Sequence, residues 1–175
     1  MGHAKEPWLL VGVLALLSLL GCATFLGERI ATHDLAGRYS QTFTNSSADG
    51  EPDPFQSTDV LEILPISQQQ ALFNIELNFR NGHTCQLAGV GTLTASRLVY
   101  VTPSDKDGGD VPCKLTIWRD SDLVRWSDGS NSCQRNCGMR GSLAAGAIEY
   151  STRQPLKLSR ARQLRRQVLG TKFGG

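Results

Sequence analysis

The chain has 175 residues, with 18 Lys and Arg against 16 Asp and Glu, so its net charge of +2 gives it no global basic or acidic character. With residues 1–21 read as a removable leader, the 154 that remain suffice for one domain with a genuine core and are too few for two. The near balance conceals a division: residues 22–150 carry 10 basic and 15 acidic side chains, a balance of −5, whereas residues 151–175 carry 7 basic and no acidic ones.

The first element is the apolar run "LLVGVLALLSLLGCATFLG", preceded by the short polar head "MGHAKEP". A charged head, an apolar stretch and small residues in that order make an export signal. Leu19-Leu20-Gly21-Cys22 resembles the lipobox of bacterial lipoproteins. That resemblance implies that Cys22 accepts lipid and becomes the new N-terminus, tethering the mature domain to the membrane. With Ala23 after the cysteine, it implies sorting to the periplasmic face of the outer membrane, with the inner membrane as the alternative. The run from Trp8 to Leu26 also has the length of an uncleaved span, at about 20 residues per crossing. Either way Lys5 keeps the amino side inside and places the remainder outside the cytoplasm. Residues 22–34 are then a linker.

From residue 35 the chemistry becomes extended. Predicted strands begin at Gly37 ("GRYSQTFT"), Asp59 ("DVLEILPI"), Ala71, Thr84 ("TCQLAGVGTLTA"), Arg97 ("RLVYVT"), Cys113 ("CKLTIW"), Leu123 ("LVRWS") and Ala147 ("AIEYST"). The clearest alternation places Ala71, Phe73, Ile75, Leu77 and Phe79 on one face and Asn74, Glu76, Asn78 and Arg80 on the other. Asn81-Gly82 after it is a hairpin signal. About eight short strands joined mostly by tight turns predict a mainly β domain over 35–152. We expect an antiparallel meander forming a small barrel or sandwich. Two longer polar stretches, 45–58 and 103–112, read as surface loops. "GVG" at 89–91 lacks the spacing of a phosphate loop and reads as a bend or bulge within a strand. Trp118 and Trp126 read as core or strand-face aromatics, either becoming a binding surface if it lies outside.

Beyond Cys22 there are four more cysteines, Cys85, Cys113, Cys133 and Cys137, an even number in an oxidising compartment, and two disulfides are expected. Zinc is the lesser reading, because C-x3-C has no second close pair. Strands running alternately up and down bring all four to one end. That favours Cys113 with Cys133 and Cys85 with Cys137, among three connectivities. The framework "NGHTCQLAGVG…CKLTIW…SCQRNCGMRGSL" resembles small exported bacterial proteins, some grouped with the lysozyme inhibitors. The resemblance implies compartment and fold, and the acidic stretch "DKDGGD" at 105–110 would suit a cationic sugar-binding cleft.

The last element, 153–175, is a basic tail. Ser159 is placed to cap a short helix with Leu158, Ala161, Leu164 or Arg165, Val168 and Leu169 on one side. Arg160, Arg162, Arg165 and Arg166 are the candidate surface-binding residues, directed at a protein partner or an anionic envelope polymer; nucleic acid does not fit an exported chain. The tail either folds back on the acidic body or reaches outward. No catalytic set stands out: His33 lies beside the anchor linker, where no pocket is expected, and His83 follows a hairpin turn and reads as an exposed turn residue. No metal or cofactor is implied. The chain reads as a lipid-anchored envelope lipoprotein that acts by binding or as a scaffold. The alternatives are a lysozyme-type hydrolase inhibitor and a single-span subunit of an envelope complex.

Overall fold

The computed structural model describes residues 34–46, 54–79, 82–94, 96–102 and 111–170. The leader, Cys22 and the acidic stretch at 105–110 lie outside them. Eight strands form one antiparallel sheet in strict chain order: β1 (Gly37–Asn45), β2 (Phe55–Pro65), β3 (Gln70–Asn78), β4 (Thr84–Thr94), β5 (Arg97–Val101), β6 (Lys114–Asp120), β7 (Leu123–Ser127) and β8 (Gly146–Glu149). The sheet curls into a nearly closed barrel, and a helix, α1 (Leu158–Leu169), lies toward the C-terminal end of the chain.

Every predicted strand is present. The principal difference is at 55–58, which the polar composition assigns to a loop. There β2 begins at Phe55, and the ladder with β1 runs the full distance from Asn45 opposite Phe55 to Gly37 opposite Ile63. Polar side chains hold that extension together across the pair: the Thr42 and Thr58 hydroxyls meet at 3.0 Å, and Gln56 Nε2 donates to Thr44 Oγ1 at 3.1 Å. Between β3 and β4 the chain reverses through Gly82, whose φ of 74° lies in the left-handed region that glycine adopts without strain.

Alternate residues point inward, and the inward set fills the barrel. Tyr39, Leu61, Ile63, Phe73, Ile75, Leu98, Leu115, Ile117, Val124, Trp126 and Ile148 are all buried there. An eight-stranded barrel is just wide enough for side chains to fill, and here they do. Gly89 and Gly91 make this packing possible. Any side chain at Gly89 would collide with the Tyr100 ring, which packs edge-on to Phe73 at 5.1 Å between centroids. These glycines create room for large side chains of the neighbouring strand β5, and the register with β3 runs through them without a bulge.

The seam between β1 and β8 is closed by the segment that leaves β8. Arg38 and Gln154 exchange backbone hydrogen bonds, each of 2.8 Å. Beside them the Tyr150 hydroxyl and Arg119 Nη1 both donate to Asp34 Oδ1 at 2.8 Å, and Arg153 Nη1 donates to the Tyr150 oxygen at 2.7 Å. Burial would raise the Asp34 carboxyl, but its bonds to Arg119 and Tyr150 outweigh that and hold it below the usual carboxylate range. The chain thus enters the domain at a fixed point on the seam.

Candidate functional site

Helix α1 folds back onto the outside of β2, β3 and β4. Leu164 and Val168, one turn apart, insert among Leu64, Ile66, Leu72, Ala88 and Val90, forming a second apolar cluster outside the barrel. The outward rows of these strands are therefore apolar where the helix covers them. The helix starts at Leu158, one residue before the expected cap, and no side chain caps it. Leu158, expected on the apolar side, is 68% exposed.

Next to this apolar contact lies a buried charge. Glu62, on the outer face of β2, is completely inaccessible to solvent. Arg160 reaches it from the helix as a fork, with Nη2 to Oε2 at 2.7 Å and Nε to Oε1 at 2.9 Å. Arg38 Nη1 donates to Oε1 at 2.5 Å, and Asn74 Nδ2 donates to Oε2 at 3.3 Å. Burial alone would push the Glu62 carboxyl up, but the hydrogen bonds and charges of Arg160 and Arg38 prevail and hold it below the usual range. An isolated carboxylate in that position would be costly; two guanidiniums and an amide satisfy it.

The four tail arginines consequently separate. Arg160 is spent on Glu62, with Glu76 Oε1 a further contact at 3.8 Å. Arg162, Arg165 and Arg166 are exposed, and among the described residues none has an acidic partner. Their spacing of three and four residues puts them on neighbouring positions of the free side of the helix. Because Leu164, Val168 and Arg160 fix the helix to the barrel, these three cations occupy a fixed surface.

At one end of the barrel, disulfides join Cys85 to Cys137 and Cys113 to Cys133, with Cα separations of 4.0 and 4.5 Å. They staple the loop after β7. The Asp128 carboxylate reinforces it by accepting the Asn131 N–H at 2.8 Å and the Cys133 N–H at 3.0 Å. His83 is half-buried against Gly138 of the same loop. Among the described residues, no group of three or more His, Cys, Asp and Glu side chains is arranged to hold a metal ion. Likewise no helix among them is long and apolar enough to cross a membrane.

The two tryptophans differ in placement: Trp126 is buried inside the barrel, whereas Trp118 stands on the outer face of β6. Glu62 and Arg38, which position the helix, escape a reading of the sequence because a Glu within a strand looks like part of a solvated face. No known protein family, curated protein or solved structure matches the chain. Two disulfides in so small a domain point to an extracytoplasmic compartment.

Proposed function

We propose that the protein is a lipid-anchored module of the bacterial cell envelope that acts by binding, with Cys22 as its membrane tether and the outer side of α1 as its contact surface. The tether rests on Leu19-Leu20-Gly21-Cys22 at the end of the apolar run. The observation that carries the binding role is the separation of the arginines: Arg160 locks the helix through Glu62, while Arg162, Arg165 and Arg166 stand exposed beside Leu158. Such a surface suits an anionic envelope polymer or an acidic protein partner, and tethering raises the effective concentration of a weak second contact.

Two measurements test this. Mass spectrometry of the membrane-extracted protein should find lipid on an N-terminal Cys22, and Cys22→Ser should abolish processing. An intact leader joined to an unmodified Cys22 would replace the lipid tether by a membrane span. Separately, changing Arg162, Arg165 and Arg166 to Gln should weaken sedimentation with envelope fractions in low salt. Exposed charges are screened beyond about 8 Å at physiological ionic strength, so raising salt should mimic the substitution. Unchanged sedimentation of the triple variant would overturn the contact surface.

A further inference from the structure

The outer face of β5, β6 and β7 carries no helix among the described residues. Its side chains lie in register across the strands: Arg97 is opposite Trp118, which is opposite Arg125, and the adjoining row is Val99, Thr116 and Ser127. Farther along, Lys114 stands opposite Val101. An open groove of about 390 Å³ runs over this face, bordered by Arg97, Lys114, Thr116 and Trp118 and by the turn at Asp128–Ser130. The groove lies on an exposed face and is separate from the filled barrel interior.

Its charges are unevenly spent. Arg125 Nε is bonded to Asp120 Oδ2 at 2.8 Å. Asp128 lines the groove, but each of its carboxylate oxygens accepts a backbone N–H of the stapled loop. Arg97 and Lys114 have no acidic partner among the described residues, and the Arg97 guanidinium lies 5.5 Å from the Trp118 ring centroid. Four residues of strand separate the Arg97 and Lys114 rows, about 13 Å at the usual rise. Two cations without an acidic partner among the described residues, with the Thr116 row between them and the Trp118 indole beside Arg97, match an extended ligand bearing repeated anionic groups, apolar ring faces and hydroxyls. A single small anion would use only one end.

We propose that this groove binds a segment of acidic polysaccharide, a glycan bearing uronate carboxylates. Trp118 takes the C–H face of a sugar ring, Arg97 and Lys114 take carboxylates, and Thr116 hydrogen-bonds a sugar hydroxyl. The site is distinct from the arginine surface of α1 and does not depend on it.

Isothermal titration of the membrane-extracted protein in detergent and low salt, with oligogalacturonate as probe, tests the assignment. Dextran of equal length and inorganic polyphosphate are the comparison ligands. Oligogalacturonate should bind and dextran should not. Trp118→Ala should weaken binding about tenfold, and Arg97→Gln or Lys114→Gln about three- to tenfold each. The Arg162, Arg165 and Arg166 triple Gln variant should bind as the parent does, which separates this site from the helix surface. Loss of affinity in Arg97→Gln with an unchanged melting temperature guards against misfolding of the tryptophan variant. Absence of oligogalacturonate binding would overturn the proposal. So would binding indifferent to Trp118, Arg97 and Lys114, or polyphosphate binding as tight as oligogalacturonate binding with no dependence on Trp118.

Discussion

The outer surface of the barrel has two sectors built on the same pleat but finished differently. Over β2–β4 the outward rows include Leu64, Leu72, Ala88 and Val90, and α1 covers them. Over β5–β7 the outward rows are Arg97, Thr116, Trp118, Arg125 and Ser127, and no helix of the described residues lies over them. The burial patterns differ accordingly. β3 is buried on both faces through five consecutive residues, Ala71 to Ile75, whereas β6 and β7 alternate. Where the helix covers it, the outward row of β3 contributes Leu72 to the apolar contact and buries Asn74 against Glu62, whereas the strands facing water keep a polar row open to solvent. The outward residues thus distinguish the sector that the helix covers from the one that no described helix covers.

The contrast can be broken most severely at the staple supporting the uncovered sector. Replacing Cys113 and Cys133 together by Ala should cost about 3 kcal/mol in the chain-entropy picture, because their bond closes a 20-residue separation. Amide exchange should rise chiefly in β6 and the stapled loop. In the covered sector the corresponding lesion is Leu164→Ala. Leu164 is fully buried between helix and sheet, and its truncation should cost about 2.5 kcal/mol in chemical denaturation, with exchange rising in α1. Trp118→Ala, a larger truncation on the uncovered side, should cost under about 1 kcal/mol.

A smaller effect sharpens the comparison through pH. The folded Glu62 carboxyl titrates below its unfolded value of 4.5, so near and below that value the unfolded chain binds more protons. Stability supplied by the Arg38–Glu62–Arg160 cluster is therefore complete above about pH 4.5 and is lost as pH falls through the folded value. Glu62→Gln should cost about 2 kcal/mol at neutral pH, less than for a wholly buried pair because both arginines retain some access to water. The variant should also lack this component of the acid dependence, as read by denaturation across pH 2.5–7.

Much of this architecture is legible in the sequence. The alternation of residues 71–79 and the turn residues that bound the other segments mark the strands, although Phe55–Thr58 of β2 escape both signs. The cysteine pairing accords with the up-and-down order of the strands. Leu72 is the overlooked sign of the helix site: it breaks the polar row of Asn74, Glu76 and Asn78, and an apolar intruder there calls for a cover. The difference between the tryptophans is also present, since Trp126 shares parity with Val124, and Trp118 with Lys114 and Thr116. Glu62 is not readable by such rules. Its burial depends on Arg160, 98 residues later, and nothing local distinguishes it from a solvated Glu. The same holds for Arg160, which among four similar arginines is selected only by its angular position beside Leu164. Leader and lipobox remain matters of sequence, because residues 1–33 lie outside those described.

The central claim is that one helix carries two populations of arginine, one that holds it down and one that faces out. Thermal melting of Arg160→Gln alongside the Arg162, Arg165 and Arg166 triple Gln variant, at neutral pH and low salt, tests this directly. Arg160→Gln should lower stability by about 2 kcal/mol by leaving the Glu62 carboxylate with only Arg38 as a charged partner among the described residues. The triple variant, despite losing three times the charge, should remain within about 0.5 kcal/mol of the parent. Equal destabilisation by the two, or a larger loss in the triple variant, would contradict the claim and place the exposed arginines within the domain's own stabilising contacts.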